Sequence, residues 1–447
     1  MAKGVGKVAC WVALVGASAS AFAPLLRVPV HFRPRIAPLR ASKSRRLCLG
    51  MSGAGAERGD VVVQAKKSVL FDEFCSTLPR MDGKVVAITG CTSGIGFIVA
   101  RTVLDLGAIV VMLNRPSIRA EAACVALRSG IDFVLPQLAA EQAMDLEAQV
   151  AQQMNEMRVV PIDCDLLDFA SVKQAYVEIR TKFPDGIDVL CLNGGIGAAP
   201  PNHVRSVGSY EPMMQTNHLS HFLLTQLLLP SMEARAASLG SDTRIVSVTS
   251  EARTQPNTPL AAAALAMQTE EDTFDSRWAR CVCVCVCVCV CVCVDSYAHG
   301  HVYRAALADE LYHQSKLAVA IFALEQHRRL RQQSSRVKSL LAHPGLCTTG
   351  AALDMFATIF RDKPDIAAQV AAFVDSQAQS EEDGAIGLLT CICLPEANSG
   401  DFYGPRGMNG RVDRLTPEEL LMDPDAAATL WRASQAATAP FTSRPAS

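Results

Sequence analysis

The first 56 residues contain no aspartate and no glutamate, against nine lysines and arginines. The 447-residue chain has a formal charge of only −2, so this absence hides an acidic body with 33 basic and 44 acidic residues. A body of that sign, without a basic aromatic face, excludes nucleic acid as the expected partner. The 17 cysteines include no CxxC pair and no Cys/His cluster at metal-ligand spacing, so no metal is expected. Long apolar runs are also missing. Stretches 8–23 and 386–394 are too short to cross a bilayer, so no transmembrane span is expected, and the second reads as a buried segment. No solenoid-like repeat and no domain boundary interrupt the body, and one domain suffices.

The leader is ordered in its own way. Lys3 and Lys7 precede the apolar stretch, which closes on Ala19-Ser20-Ala21, a small-x-small site of the signal-peptidase type. From 22 to 56 the chain is Arg- and Ser-containing and acid-free, as a transit peptide is. Phe22-Ala23-Pro24 after the junction resembles the bipartite presequences of algae with complex plastids. The expectation is a presequence over 1–56 (signal peptide to 21, transit peptide 22–56), a linker over 57–81, and import into the plastid. The secretory pathway is the alternative.

Residues 281–294 read Cys-Val seven times. As a strand this tract would line up seven thiols on one face, and it would be prone to aggregate. A TG dinucleotide repeat read in frame encodes it, so 281–311 is read as a retained-intron insertion. Its removal joins Arg280 to Tyr312, and sequencing the transcript across that junction tests the reading.

Between 82 and 420, short apolar β-branched runs alternate with helical patterns. Strands are expected over 84–89, 108–113, 158–162, 187–192, 243–249 and 337–342. Helices are expected over 95–106, 171–182, 213–229 and 312–331, with an extra surface helix late in 119–157 and a terminal helix and tail over 421–447. This alternation argues an α/β fold with one doubly wound parallel sheet covered on both faces.

Two groups of residues carry chemistry. Thr89-Gly90-Cys91-Thr92-Ser93-Gly94-Ile95-Gly96 lies between the first strand and the first helix. Its glycines allow a tight turn and a close backbone approach to a pyrophosphate, whose charge the helix N-terminus stabilises. Tyr312 and Lys316 stand four apart on one helical face. A phenol titrates near ~10, and a neighbouring ammonium would stabilise its anion and make it a usable proton carrier. Ser250, at the end of the strand 243–249, can hold a substrate oxygen, whereas alternation aims Ser247 and Thr249 off its face. His218 and His221, three apart on a helix without a carboxylate or cysteine partner, read as packing residues.

These residues, in this order, resemble the short-chain dehydrogenase/reductase family, whose glycine motif is TGxxxGxG. The resemblance implies a Rossmann-type domain over 82–420 and an NAD(P)-dependent oxidoreductase interconverting an alcohol and a carbonyl. By the same resemblance, Asp165 and Leu166 contact the adenine, and Asn193-Gly194-Gly195 lies against the cofactor, with Gly195 replacing the usual alanine. Asn217 orders a water beside Lys316. Pro344 and Gly345, with Thr348 and Thr349, close over the nicotinamide. The catalytic set is then Asn217, Ser250, Tyr312 and Lys316. The dinucleotide is held by Thr89, Gly90, Ser93, Gly94, Ile95, Gly96, Asn114, Arg115, Asp165, Leu166, Asn193, Gly194, Gly195, Tyr312, Lys316, Pro344, Gly345, Thr348 and Thr349.

The second strand closes on Asn114-Arg115 with no acid for ribose hydroxyls, and a guanidinium suits a 2′-phosphate, so NADP(H) is expected over NAD(H). The helix around Asn217 resembles the retinol-dehydrogenase-like branch, which implies an apolar, fairly large small-molecule substrate. The family implies homodimers or tetramers. Protochlorophyllide oxidoreductase-like chemistry is one alternative, and a catalytically silent NADP-binding or mis-spliced product is another.

Overall fold

Strand β3 (Val85–Thr89) shows why the sheet is buried on both faces. Val85 and Ala87 enter one hydrophobic core while Val86 and Ile88 enter the other. This is the period of two expected of a strand between two layers of helices. In the computed structural model, residues 45–47, 61–63, 66–130, 155–197, 210–254, 259–260, 265, 299–348 and 364–442 are described. Chain contacts separate Met1–Pro38 from Leu39–Ser447, and all described residues belong to the second unit. The leader, the Cys-Val tract and the expected helix late in 119–157 lie outside the described residues.

A short antiparallel pair, β1 (Arg45–Leu47) and β2 (Val61–Val63), and helix α1 (Phe71–Thr77) precede the main body. The sheet then runs through β3, β4 (Ile109–Asn114), β5 (Val159–Asp163), β6 (Val189–Leu192), β7 (Thr243–Val248), β8 (Val337–Ala342), β9 (Phe402–Pro405) and β10 (Val412–Leu415). Its spatial order is β10-β9-β8-β7-β6-β3-β4-β5, parallel except for the β9–β10 pair. The chain therefore moves outward from β3 to β5 and returns to place β6 on the other side of β3. Ligands of such sheets bind beyond the strand C-termini at this switch point.

The helices have local reasons to start. Ser117 accepts from Ala120 N before α2's successor α3 (Ile118–Ser129), and Asp168 accepts from Ala170 N before α4 (Phe169–Lys182). Helix α2 (Gly94–Asp105) follows β3 directly, and α5 (Ser220–Leu239) follows a π-turn over Gln215–Leu219. Helix α6 (His299–Gln332) carries Tyr312. Helix α7 (Pro364–Gln377) comes next. Helix α8 (Glu381–Cys393) is capped by Ser380 and contains the expected apolar segment, buried throughout. Helix α9 (Pro424–Thr438) starts at Asp423 with proline at its first turn.

Two points differ from the sequence reading. Helix α6 begins at His299, so the expected insertion end at 311 falls inside a continuous helix, with Leu311 in the core. The expected terminal helix docks on the body: Leu421, Leu430 and Trp431 join the core, and Trp431 packs on Phe222 and Phe322 of α5 and α6. Strands β9 and β10 were not expected, because Phe402–Pro405 ends in proline and carries a glycine.

At the opposite end of the sheet from the site, Asp188 is buried. It accepts from Val85 N at 2.8 Å and pairs with Arg235 at 2.6 Å and Lys84 at 3.2 Å. Asp188→Asn should remove about 3 kcal/mol of stability by leaving Arg235 without its counter-charge. A urea melt with an unchanged slope and a lowered midpoint checks this.

Candidate active site

The turn after β3 is shaped by contacts that only glycine allows. Gly90 (φ +67°) and Gly94 (φ +60°) adopt the left-handed region. A Cβ on Gly90 would lie 2.6 Å from Gly194 Cα, and one on Gly96 would lie 2.3 Å from Gly90 O. Asn193, at the end of β6, donates from Nδ2 to Thr89 O and Gly90 O, each at 3.0 Å, and so staples the two strand ends together. Asn114 supports the turn from the other side, accepting from Cys91 N at 2.9 Å and donating to Cys91 Sγ. Its side chain is therefore committed to the turn's backbone. Arg115, next along, is exposed. Ser93 precedes α2 in extended backbone, and its hydroxyl makes no cap bond to the helix.

Ser250, Tyr312, Lys316 and Asn217 gather at the same end of the sheet. Ser250 follows β7, and against the rise that burial brings, its side chain lowers the Tyr312 phenol. It also accepts from Ala252 N at 3.2 Å, which fixes its hydroxyl. Lys316 is buried and donates to Val248 O at 3.2 Å, with its ammonium 5.9 Å from the Tyr312 ring centre. Burial pushes Lys316 down to about 8 and pushes the Tyr312 phenol up, against a lowering by Ser250. The sequence reading had Lys316 lower the phenol. In the structure the leading influence on Tyr312 is desolvation, which raises the phenol.

Asn217 lies in the π-turn, a helix irregularity common at functional sites. Its Oδ1 accepts from Ile196 N at 2.8 Å, and its Nδ2 donates to Ile196 O at 3.0 Å and to Ser315 Oγ at 2.9 Å. Ser315 and Thr249 bond candidate site residues in contacts that spacing did not reveal. Thr249 donates to Lys316 O at 2.7 Å, so the Tyr312 helix is fastened to the β7 end and to the π-turn. Gly195 faces Lys316: a Cβ there would come within 3.0 Å of Asn217 Oδ1 and 3.4 Å of Lys316 Nζ.

The remaining expected residues are more dispersed. Asp165 accepts from Leu167 N at 3.0 Å within its own loop, and Leu166 packs beside Gly194. Pro344 O accepts from Gln379 Nε2, and Gly345 (φ +65°) would meet Met408 O if it carried a Cβ. Thr348 is buried, its amide donating to Gln379 O at 3.2 Å, and Thr349 lies outside the described residues. The eight described cysteines are buried and unpaired, and no group of three His, Cys, Asp or Glu among the described residues could hold a metal. Among the described residues, no helix is long and apolar enough to cross a membrane.

A glycine turn opening a helix at the switch point of a parallel sheet, with Ser, Tyr and Lys beside it, defines a dinucleotide-binding Rossmann-type protein. A family model described as short chain dehydrogenase matches residues 126–264. A short chain dehydrogenase/reductase of Colletotrichum higginsianum, dpchH, is 26% identical over 81% of this chain and 76% of its own length. Human retinol dehydrogenase 14 is 34% identical, over 38% of this chain and 46% of that protein. The chloroplastic short-chain dehydrogenase TIC 32 A of Brassica napus is 27% identical over 59% of this chain and 63% of its own. Among solved structures, a protein of Mycobacterium paratuberculosis superposes with a TM-score of 0.53 at 26% identity, covering 82% of this chain and 97% of that one. The chain thus spans three quarters of the fungal relative and under half of the human one. Over these stretches the chain is similar to short-chain dehydrogenases/reductases.

Proposed function

We propose that this chain uses NADP(H) to interconvert an alcohol and a carbonyl on an apolar small molecule, with Tyr312 as general acid/base. The observation that carries the reading is the buried Lys316 ammonium 5.9 Å from the Tyr312 ring centre, at the end of β7 that Ser250 follows. The residues fit a dinucleotide. The turn is closed to any Cβ at Gly90 and Gly96, the N-terminus of α2 opens toward it, and Lys316 has a backbone carbonyl and no carboxylate as its bonded partner.

A bound nicotinamide supplies or accepts the hydride. The protein's part is to hold and move a proton. Ser250 orients the reacting oxygen, the Tyr312 hydroxyl gives it a proton in reduction or takes one in oxidation, and Lys316 stabilises the phenolate that results. Asn217 keeps the π-turn against the Tyr312 helix through Ser315. Exposed Arg115 after β4, without an acid at that strand end, supports NADP(H) over NAD(H). The family implies homodimers or tetramers. An apolar substrate is supported by the likeness to retinol dehydrogenase 14. A plastid location is supported by the acid-free leader and by the chloroplastic relative.

NADPH oxidation by the purified full chain, and by a chain lacking 281–311, against a panel of aldehydes and ketones tests the activity. A silent binding protein would bind NADPH without turnover. Arg115→Asp should weaken NADPH binding roughly tenfold while leaving NADH binding equal or stronger, because one ionic contact of about 1.4 kcal/mol is lost at the 2′-phosphate. Titration with both nucleotides reads this out.

A further inference from the structure

We infer that His221 is a positioning residue that ties the dinucleotide turn to the Asn217 backbone, so that the binding loop and the proton-handling residues keep one geometry. The inference rests on the dinucleotide-site reading above and goes beyond it. Spacing alone made His218 and His221 a pair of packing residues. The structure separates them. His218 bonds Ser434 of the terminal helix at 2.7 Å among Phe222 and Phe322 and serves packing. His221 instead has both ring nitrogens engaged with the site. Nδ1 lies 3.0 Å from Asn217 O, and Nε2 lies 3.0 Å from Thr89 Oγ1.

The direction of each bond follows from chemistry. Asn217 O can only accept, so the ring proton is on Nδ1, and Nε2 of a neutral ring is then an acceptor. Burial, with Lys316 nearby, holds His221 neutral at about 4. Thr89 Oγ1 already accepts from Gly194 N at 2.8 Å, so its own proton is free to be donated. It goes to His221 Nε2 at 3.0 Å in preference to Cys191 O at 3.4 Å. The result is one directed chain: Gly194 N–H to Thr89 Oγ1, Thr89 O–H to His221 Nε2, and His221 Nδ1–H to Asn217 O. It joins the ends of β3 and β6 to the π-turn. Thr89, His221 and Asn217 are all at most 3% exposed, so water has little access to replace a lost bond.

The test uses the full chain, with NADPH affinity read by its fluorescence and kcat read on whichever carbonyl proves active. Thr89→Val and His221→Leu should each weaken NADPH binding about 5- to 50-fold, the cost of buried groups left unpaired, and each should lower kcat as well. Because they cut the same chain, the double variant should lose no more than about threefold beyond the worse single variant. Thr89→Ser should restore affinity to within about threefold of the parent. Losses that multiply, or a Thr89→Ser variant as weak as Thr89→Val, would overturn the inference. A merely structural histidine would lower thermal stability while leaving the affinity of the folded fraction unchanged, which also overturns it. Histidine nitrogen NMR of the parent chain, needing no variant to fold, should show a neutral Nδ1–H ring for His221 at pH 6 to 7.5. An Nε2–H or charged ring overturns it. A parent chain that does not bind NADPH sinks the site reading itself, whereas binding with multiplicative losses sinks only the His221 chain.

Discussion

Tyr312→Phe is expected to lower kcat by roughly 10²- to 10⁴-fold, the usual worth of a positioned general acid or base. NADPH affinity should stay within about threefold of the parent, because the ring remains and only the hydroxyl leaves. Stopped-flow turnover and equilibrium binding on the same preparation separate the two. Retained turnover in this variant would reject Tyr312 as the proton carrier. The pH dependence has a definite sign. Reduction needs the protonated phenol, and burial raises the Tyr312 pKa, so the proton-donating form persists into the alkaline range. Lys316 has a pKa lowered to about 8 by burial, so its charge fades as pH rises through that value. Affinity for the anionic dinucleotide should therefore fall above about pH 8, by at most tenfold per pH unit, while the acid competence of Tyr312 is retained. A flat affinity between pH 7 and 10 would show that Lys316 does not meet the cofactor.

Gly96→Ala is expected to raise the NADPH dissociation constant by about 10- to 100-fold. The added methyl would lie 2.3 Å from Gly90 O and 2.4 Å from Asn193 Nδ2. Neither can retreat cheaply, since Gly90 O is backbone and Asn193 is held to Thr89 O and Gly90 O. Overpacking of this kind costs about 1 to 3 kcal/mol, and here the turn that meets the pyrophosphate would absorb it. Circular dichroism should show the fold intact. Unaltered affinity would mean that the turn does not touch the ligand.

Much of the core was legible because its residues report their surroundings directly. Short, largely apolar runs rich in β-branched residues, such as 85–89, fit strands buried on both faces. The site residues were legible where one residue type has one use: left-handed glycines at Gly90 and Gly94, and a phenol one helical turn before a lysine. What stayed hidden were side chains whose meaning comes from a neighbour distant in sequence. Asn114 was expected at the cofactor from its place at a strand end, and only the fold shows that it also bonds Cys91 of the turn. Ser315 and Thr249 looked like ordinary polar residues until folding brought Asn217 and Lys316 against them. The last helix was expected from its alanine-rich sequence, but nothing in that sequence says that Trp431 fills the space beside Phe222 and Phe322.

The sequence by itself determined the sheet, the turn that opens it and the residue types proposed to carry the proton, because local periodicity and backbone freedom are written residue by residue. Only the tertiary structure decided the state of those carriers and their wiring. Burial raises the Tyr312 phenol, and His221 spans two motifs that lie far apart along the chain. Desolvation and hydrogen-bond partnership are properties of a packed site, and they exist only once the strands have brought its parts together.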